Sequence, residues 1–104
     1  MVGDRIIATG GSVIVNKAKV ENAFNKIQTD DGPELASAMR AVGQTIEQSN
    51  NPSAGAIFER FVEEAQKPQR DRKTLRDYWN TIVQLVPDVV KLTDAASKLA
   101  QLFG

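Results

Sequence analysis

The hydrophobic pattern is clearest in the last third of the chain, from Asp71 to Phe103. In steps of three and four it gives Leu75, Tyr78, Ile82, Leu85, Val89, Leu92, Ala96, Leu99 and Phe103, every one apolar or aromatic. That is the seam of an amphipathic helix. Trp79, Val83, Val86 and Val90 widen it, as in a helix packed into a globular bundle. The opposite positions are polar, among them Asp77, Gln84, Lys91, Asp94 and Lys98. Pro87 interrupts the run, and an internal proline kinks or breaks a helix. The seam keeps its register from Leu85 to Val89, so the pattern predicts one kinked helix over 71–103.

Three further helices are predicted upstream. Val20, Ala23, Phe24 and Ile27 mark a short one over 18–28. A second covers 33–48, with Pro33 in its first turn and Leu35, Met39, Val42 and Ile46 as its stripe. Gly43 in that stripe marks a close helix contact, because glycine costs about 1 kcal/mol against alanine in a helix interior. A third covers 52–66, opened by Asn51 as cap and Pro52 as first residue. Its buried face is Ile57, Phe58, Phe61, Val62 and Ala65.

Residues 4–16 read differently. Ile6, Ile7, Val13, Ile14 and Val15 are β-branched, and Gly10-Gly11 separates the two runs, which predicts a β-hairpin. A phosphate-cradling role for the glycines is the weaker reading, since neither the dinucleotide fingerprint nor the P-loop spacing is present. Both faces of such a hairpin are apolar, and a lone two-stranded hairpin is marginal in water. The expected class is therefore mainly α: one domain over 1–104, a small helical bundle with an N-terminal hairpin and a long, Pro-kinked C-terminal helix.

Helix length sharpens the expectation. Residues 71–103 would span about 50 Å if nearly continuous, whereas the helices at 33–48 and 52–66 reach only about 21–24 Å. Either the chain folds back at Pro87, or the distal half packs on the N-terminal elements, or a second copy covers it. The side chains at stake, Val89, Leu92, Leu99 and Phe103, are each worth roughly 1.5–3 kcal/mol on burial. The seam and the hairpin together point to assembly, with Ile7, Ile14, Trp79, Val89, Leu92, Leu99 and Phe103 as the interface. The expected partner is a second copy or a helical protein.

Composition changes the picture mainly through what is missing. There is no His and no Cys in the 104 residues. That removes the commonest general base, the commonest transition-metal ligands and all thiolate chemistry. An enzyme would have to work through carboxylate, Lys, Tyr or Ser, and that reading ranks last. No cofactor and no metal are expected. Lys and Arg number 13 and Asp and Glu 13, for a net charge of zero. Neutrality opposes no self-association and withdraws the usual electrostatic argument for nucleic acid.

Two acidic groups invite a metal reading. Asp30 and Asp31 precede Pro33, where capping and the helix dipole explain them. Glu59 and Glu63 lie one turn apart with Glu64 adjacent, and a solvated helix face explains those.

One basic cluster remains: Lys67, Arg70, Arg72, Lys73 and Arg76, with Asp71 among them. It reads first as a solvated linker and second as an interface partner for the acidic face of Glu59, Glu63 and Glu64. Third, Arg70, Arg72, Lys73 and Arg76 would hold an anionic ligand, a nucleotide or nucleic acid. No aromatic residue interleaves the cluster to stack a base, which places that reading last.

The N-terminus lacks a signal-peptide pattern, and no run approaches the ~18 apolar residues of a membrane helix. The expected location is cytoplasmic. A membrane-surface role for the distal helix is disfavoured, because Asp94 interrupts its polar face.

The order of elements carries a resemblance. Gly3-Asp4-Arg5-Ile6-Ile7, then Gly10-Gly11-Ser12-Val13-Ile14-Val15, then Val20-Glu21-Asn22-Ala23-Phe24-Asn25-Lys26-Ile27, followed by helices, is similar to small accessory modules at the ends of multidomain bacterial conflict and signalling proteins. The resemblance covers most of the chain and transfers no catalytic residues. It implies a self-associating or adaptor module.

Overall fold

The structure is a computed structural model, and it describes residues 17–103. These form five α-helices and one 3₁₀ segment: α1 Lys17–Asp31, α2 Pro33–Gln48, α3 Pro52–Ala65, α4 Arg72–Leu85, the 3₁₀ segment Pro87–Lys91, and α5 Thr93–Ala100.

Each boundary has a local cause. After α1 the Gly32 N–H donates to the Gln28 carbonyl at 3.1 Å. Gly32 then adopts φ 105°, a left-handed value open to glycine, and Pro33 starts α2 at once. Asn51 caps α3, its side chain accepting from the Ala54 N–H at 3.2 Å, with Pro52 as first residue. Asp71 caps α4, its Oδ1 accepting from the N–H groups of Lys73 at 3.0 Å and Thr74 at 3.3 Å.

The expected fold class needs two corrections. Among the described residues every element is helical and none is a strand, so the architecture is an all-helical bundle. The β-hairpin expected over 4–16 lies outside the described residues. The second correction concerns 71–103, which is α4, a 3₁₀ turn and α5 instead of one kinked helix. Val86, which precedes Pro87, sits at φ −135° and ψ 78°, away from the helical region, as the ring of a following proline demands. The Val89 N–H then reaches back only three residues, to the Val86 carbonyl at 3.1 Å, and the Leu92 N–H likewise to Val89 at 3.2 Å. Helical bonding resumes with Ala96 on Leu92 at 2.8 Å.

The break folds the chain back on itself. α4 packs on α3, α5 packs on α2, and α1 lies over α2 and α3. One continuous core results, with Ile27, Met39, Val42, Phe58, Phe61, Leu75, Ile82, Val89 and Leu99 fully buried. Phe61, Trp79 and Phe103 form an aromatic triangle with centroid separations of 6.1 to 6.4 Å. Phe24 meets Phe58 at 6.1 Å on the other side. No charged or polar side chain is buried among the described residues.

Candidate functional site

The residues expected to form an interface have a different fate. Val89 and Leu99 are fully buried, and Phe103 is 5% exposed. Leu92 and Trp79 are half-buried and pack against the same core. Ile7 and Ile14 lie outside the described residues. The seam is thus satisfied within the chain, because the turn at Pro87 brings α5 onto α2. The premise that a second copy must cover Val89, Leu92, Leu99 and Phe103 is withdrawn.

The basic cluster is dispersed into two local ion pairs and two long-range contacts. Lys67 pairs with Glu64 at 3.0 Å. Arg70, in the loop before α4, reaches the last residue of α1: its Nη2 donates to both oxygens of Asp31, at 2.8 and 3.0 Å. Lys73 pairs with Asp77 one turn along α4 at 3.0 Å. Arg76 donates to the Phe103 carbonyl oxygen at 2.8 Å. Only Arg72 of this set has no partner among the described residues. Arg70, Lys73 and Arg76 thus each have a separate partner within the chain.

The carboxylates expected to cap or to line a solvated face are engaged too. Asp31 binds Arg70 and leaves the α2 start to Gly32. Asp30 pairs with Lys26 at 3.3 Å. Glu63 pairs with Lys19 across the α1–α3 contact. Glu64 Oε2 accepts from the Asp71 N–H at 2.9 Å, and that bond holds its carboxyl below the usual range. Burial opposes the shift, and Lys67 adds to it. Lys67 is correspondingly pushed up by its bond to Glu64. No group of three or more metal-ligating side chains converges among the described residues.

Four surface features remain. One is a groove of about 540 Å³ where the α1–α2 junction, the start of α4 and the end of α5 meet. Its walls carry Asp31, Glu34, Arg70, Arg72 and Lys98, with Gln69 and Gln101 between them. Glu34 and Lys98 also border a second groove of about 340 Å³ along α2 and α5, where Ala38, Ala41 and Ala95 lie beside Ser37 and Asp94. Sequence reasoning missed Glu34 and Lys98 here, and no local signal marks them. They sit on polar faces far apart in the chain, and only the turn at Pro87 makes them neighbours of Arg72.

A further groove of about 350 Å³ lies between α1 and α2. There the Arg40 guanidinium lies 5.2 Å from the Phe24 ring centroid and bonds Glu21 at 3.1 Å and Asn25 at 3.3 Å. Both hydrogen bonds come from Nη2, which joins the two helices, whereas the buried Nε has no hydrogen-bond partner among the described residues.

The last feature is apolar. Leu85 and Val90, on either side of the Pro87 corner, are 36% and 48% exposed. They are the exposed large hydrophobic side chains among the described residues.

No protein-family model matches the chain, and comparison with curated proteins and with solved structures finds no match. No helix among the described residues is long and apolar enough to cross a membrane.

Proposed function

We propose that the chain is a non-catalytic protein-interaction module that self-associates weakly through the corner carrying Leu85 and Val90. The observation that carries this reading is the exposure of these two side chains, 36% and 48%, where the other large apolar groups among the described residues are withdrawn from the surface. Two features support it. The net charge of zero sets up no repulsion between copies. Several of the charged groups that the sequence singles out, Asp31, Glu63, Glu64, Lys67 and Arg70, are engaged in ion pairs and hydrogen bonds within the fold.

The patch is small, so the contact is weak. Interfaces well below about 1,200 Å² belong to transient complexes. Sedimentation equilibrium over a wide concentration range tests the proposal. The apparent mass is expected to rise with concentration toward twice that of the chain, and Val90→Asp removes the rise. A mass that stays at one chain up to the highest concentration overturns it.

A further inference from the structure

Given self-association through Leu85 and Val90, on which this inference rests, we propose that two copies of the chain meet about a two-fold axis with their 3₁₀ segments antiparallel. Asp88 of each copy then pairs with Lys91 of the other.

The 3₁₀ segment sets out the surface. With three residues per turn, side chains three apart eclipse one another. Val89 takes the core side, where Val86 is also buried. Pro87 and Val90 share a second side, and both are exposed. Asp88 and Lys91 share the third, also exposed, with the Lys91 ammonium 3.3 Å from Asp88 Oδ1. An apolar strip, extended by Leu85, therefore runs beside one anion and one cation. These stand about 6 Å apart along the segment at the 3₁₀ rise.

The neighbouring charges face elsewhere. Upstream on α4 the last charged residue is Asp77, paired with Lys73 at 3.0 Å. Downstream the next is Asp94, which lines the groove between α2 and α5. Glu47, near the end of α2, lines the groove between α1 and α2 and pairs with Lys17 at 3.8 Å. The Asn51 side chain, 3.5 Å from the Leu85 carbonyl oxygen, is a neutral amide. The corner thus carries Asp88 and Lys91 side by side with no net charge, and it is its own electrostatic complement.

That complementarity selects the orientation. A two-fold contact sets one patch against itself, so residue i of one copy meets j of the other and j meets i. With the axis along the segment the copies run parallel, residues of the same number lie level, and Asp88 can meet only Asp88. Like charges set together are disfavoured. With the axis across the segment the copies run antiparallel and each Asp88 lies level with a Lys91. The pair within each chain is then exchanged for two between chains. Exposed pairs exchanged in this way add little net affinity. They fix the orientation and discriminate between partners, so the occupant that suits both the strip and the charges is a second copy.

The test is sedimentation equilibrium of full-chain variants, alone and mixed, with circular dichroism to check that each is folded. Asp88→Lys and Lys91→Asp should each weaken self-association by about tenfold, the scale of two exposed ion pairs. Added salt should restore part of the loss by screening the new repulsion. A one-to-one mixture of these two variants should associate at least as strongly as the parent chain, because each now complements the other. Both reversals in one chain should return the parent behaviour. The milder Asp88→Asn should weaken association by about threefold, which keeps the test decisive if a reversal fails to fold. Single variants that associate like the parent, or a mixture no stronger than its components, overturn the antiparallel pairing and leave self-association through Leu85 and Val90 standing. A parent and a mixture that both remain monomeric at the highest concentration overturn both.

Discussion

The Arg76 guanidinium donates to the Phe103 carbonyl oxygen across 27 residues at 2.8 Å. The bond ties the end of the chain to α4 and seats the Phe103 ring against Phe61 and Trp79, each at 6.4 Å. Two residues expected on separate working surfaces thus act together as a latch on the core. Phe103→Ala should destabilise the fold by about 3 kcal/mol, the lower end for a buried aromatic. Arg76→Met should cost about 1 kcal/mol, since it removes a single hydrogen bond near the surface. Denaturant unfolding followed by Trp79 fluorescence reads both. Equal and negligible effects would mean that the C-terminal turn is not part of the cooperative unit.

Asp31 and Arg70 form the second long-range tie, 39 residues apart and each about one-fifth exposed. Partial shielding lifts such a pair to the upper part of the range for surface ion pairs, about 1 kcal/mol. A double-mutant cycle with Asp31→Asn and Arg70→Gln should return a coupling of that size. It should shrink as salt is added. A coupling of zero at low salt would show that the Arg70 loop is held by its neighbours alone.

Glu64 gives the fold an acid-sensitive element. Its carboxylate accepts from the Asp71 N–H at 2.9 Å and pairs with Lys67, and these contacts hold its folded pKa below the ordinary value of 4.5. A depressed folded pKa means that the stabilisation is complete above the unfolded value and is lost as pH falls through the folded one. Glu64→Gln should therefore be less stable than the parent chain at neutral pH, by about 1 kcal/mol for the lost charge-assisted contacts. The gap should close as the pH drops below 4.5. Unfolding curves of both proteins across that window check it, and a gap independent of pH would rule out titration of Glu64 as its source.

The legible parts of the fold were those whose cause is local. Pro33, Asn51 and Pro52 act where they stand, so the starts of α2 and α3 could be read from neighbouring residues. Gly43 could be read as a close contact because nothing else justifies glycine there. The illegible part was the path after Leu85. A seam that keeps its register through Pro87 is the same string whether the helix kinks or stops. The 3₁₀ turn puts Val89 on the core side while leaving Leu85 and Val90 out. The candidate groove was hidden for the same reason: Arg72 and Lys98 belong together only after the chain has folded back. The cluster from Lys67 to Arg76 left three readings open because sequence shows charge without direction. Four of its five side chains in fact point to Glu64, Asp31, Asp77 and Phe103, and Arg72 has no partner among the described residues.

Gly43 permits a test of packing at the centre of the bundle. A Cβ placed there would lie 3.0 Å from Cε2 and 3.1 Å from Cζ of Phe58, whose side chain is fully buried. Alanine would gain about 1 kcal/mol in helix propensity. Overpacking a closed core costs typically 1–3 kcal/mol, ~2 at the middle of that range. The net expectation for Gly43→Ala is a loss of about 1 kcal/mol. Phe58→Leu, itself destabilising, should make the alanine favourable by freeing the space that the ring occupied. If Gly43→Ala stabilises the otherwise unchanged protein, the ring has room to move and the contact is looser than its distance implies.

Val89 and Val90 separate the core from the surface in adjacent residues. Val89 is fully buried, whereas Val90 is 48% exposed. An aspartate at 89 would place a carboxylate in the core without a partner. The cost is several kcal/mol, enough to unfold a domain whose whole stability is of the order of 5–15 kcal/mol. An aspartate at 90 sits in water and should change stability by no more than about 0.5 kcal/mol. Circular dichroism melts of Val89→Asp and Val90→Asp distinguish the two arrangements directly. If the chain continued as one long helix whose distal seam was covered only by a second copy, Val89→Asp would yield a folded monomer. In the folded-back bundle it yields no folded protein, and the variant that remains folded while losing self-association is Val90→Asp.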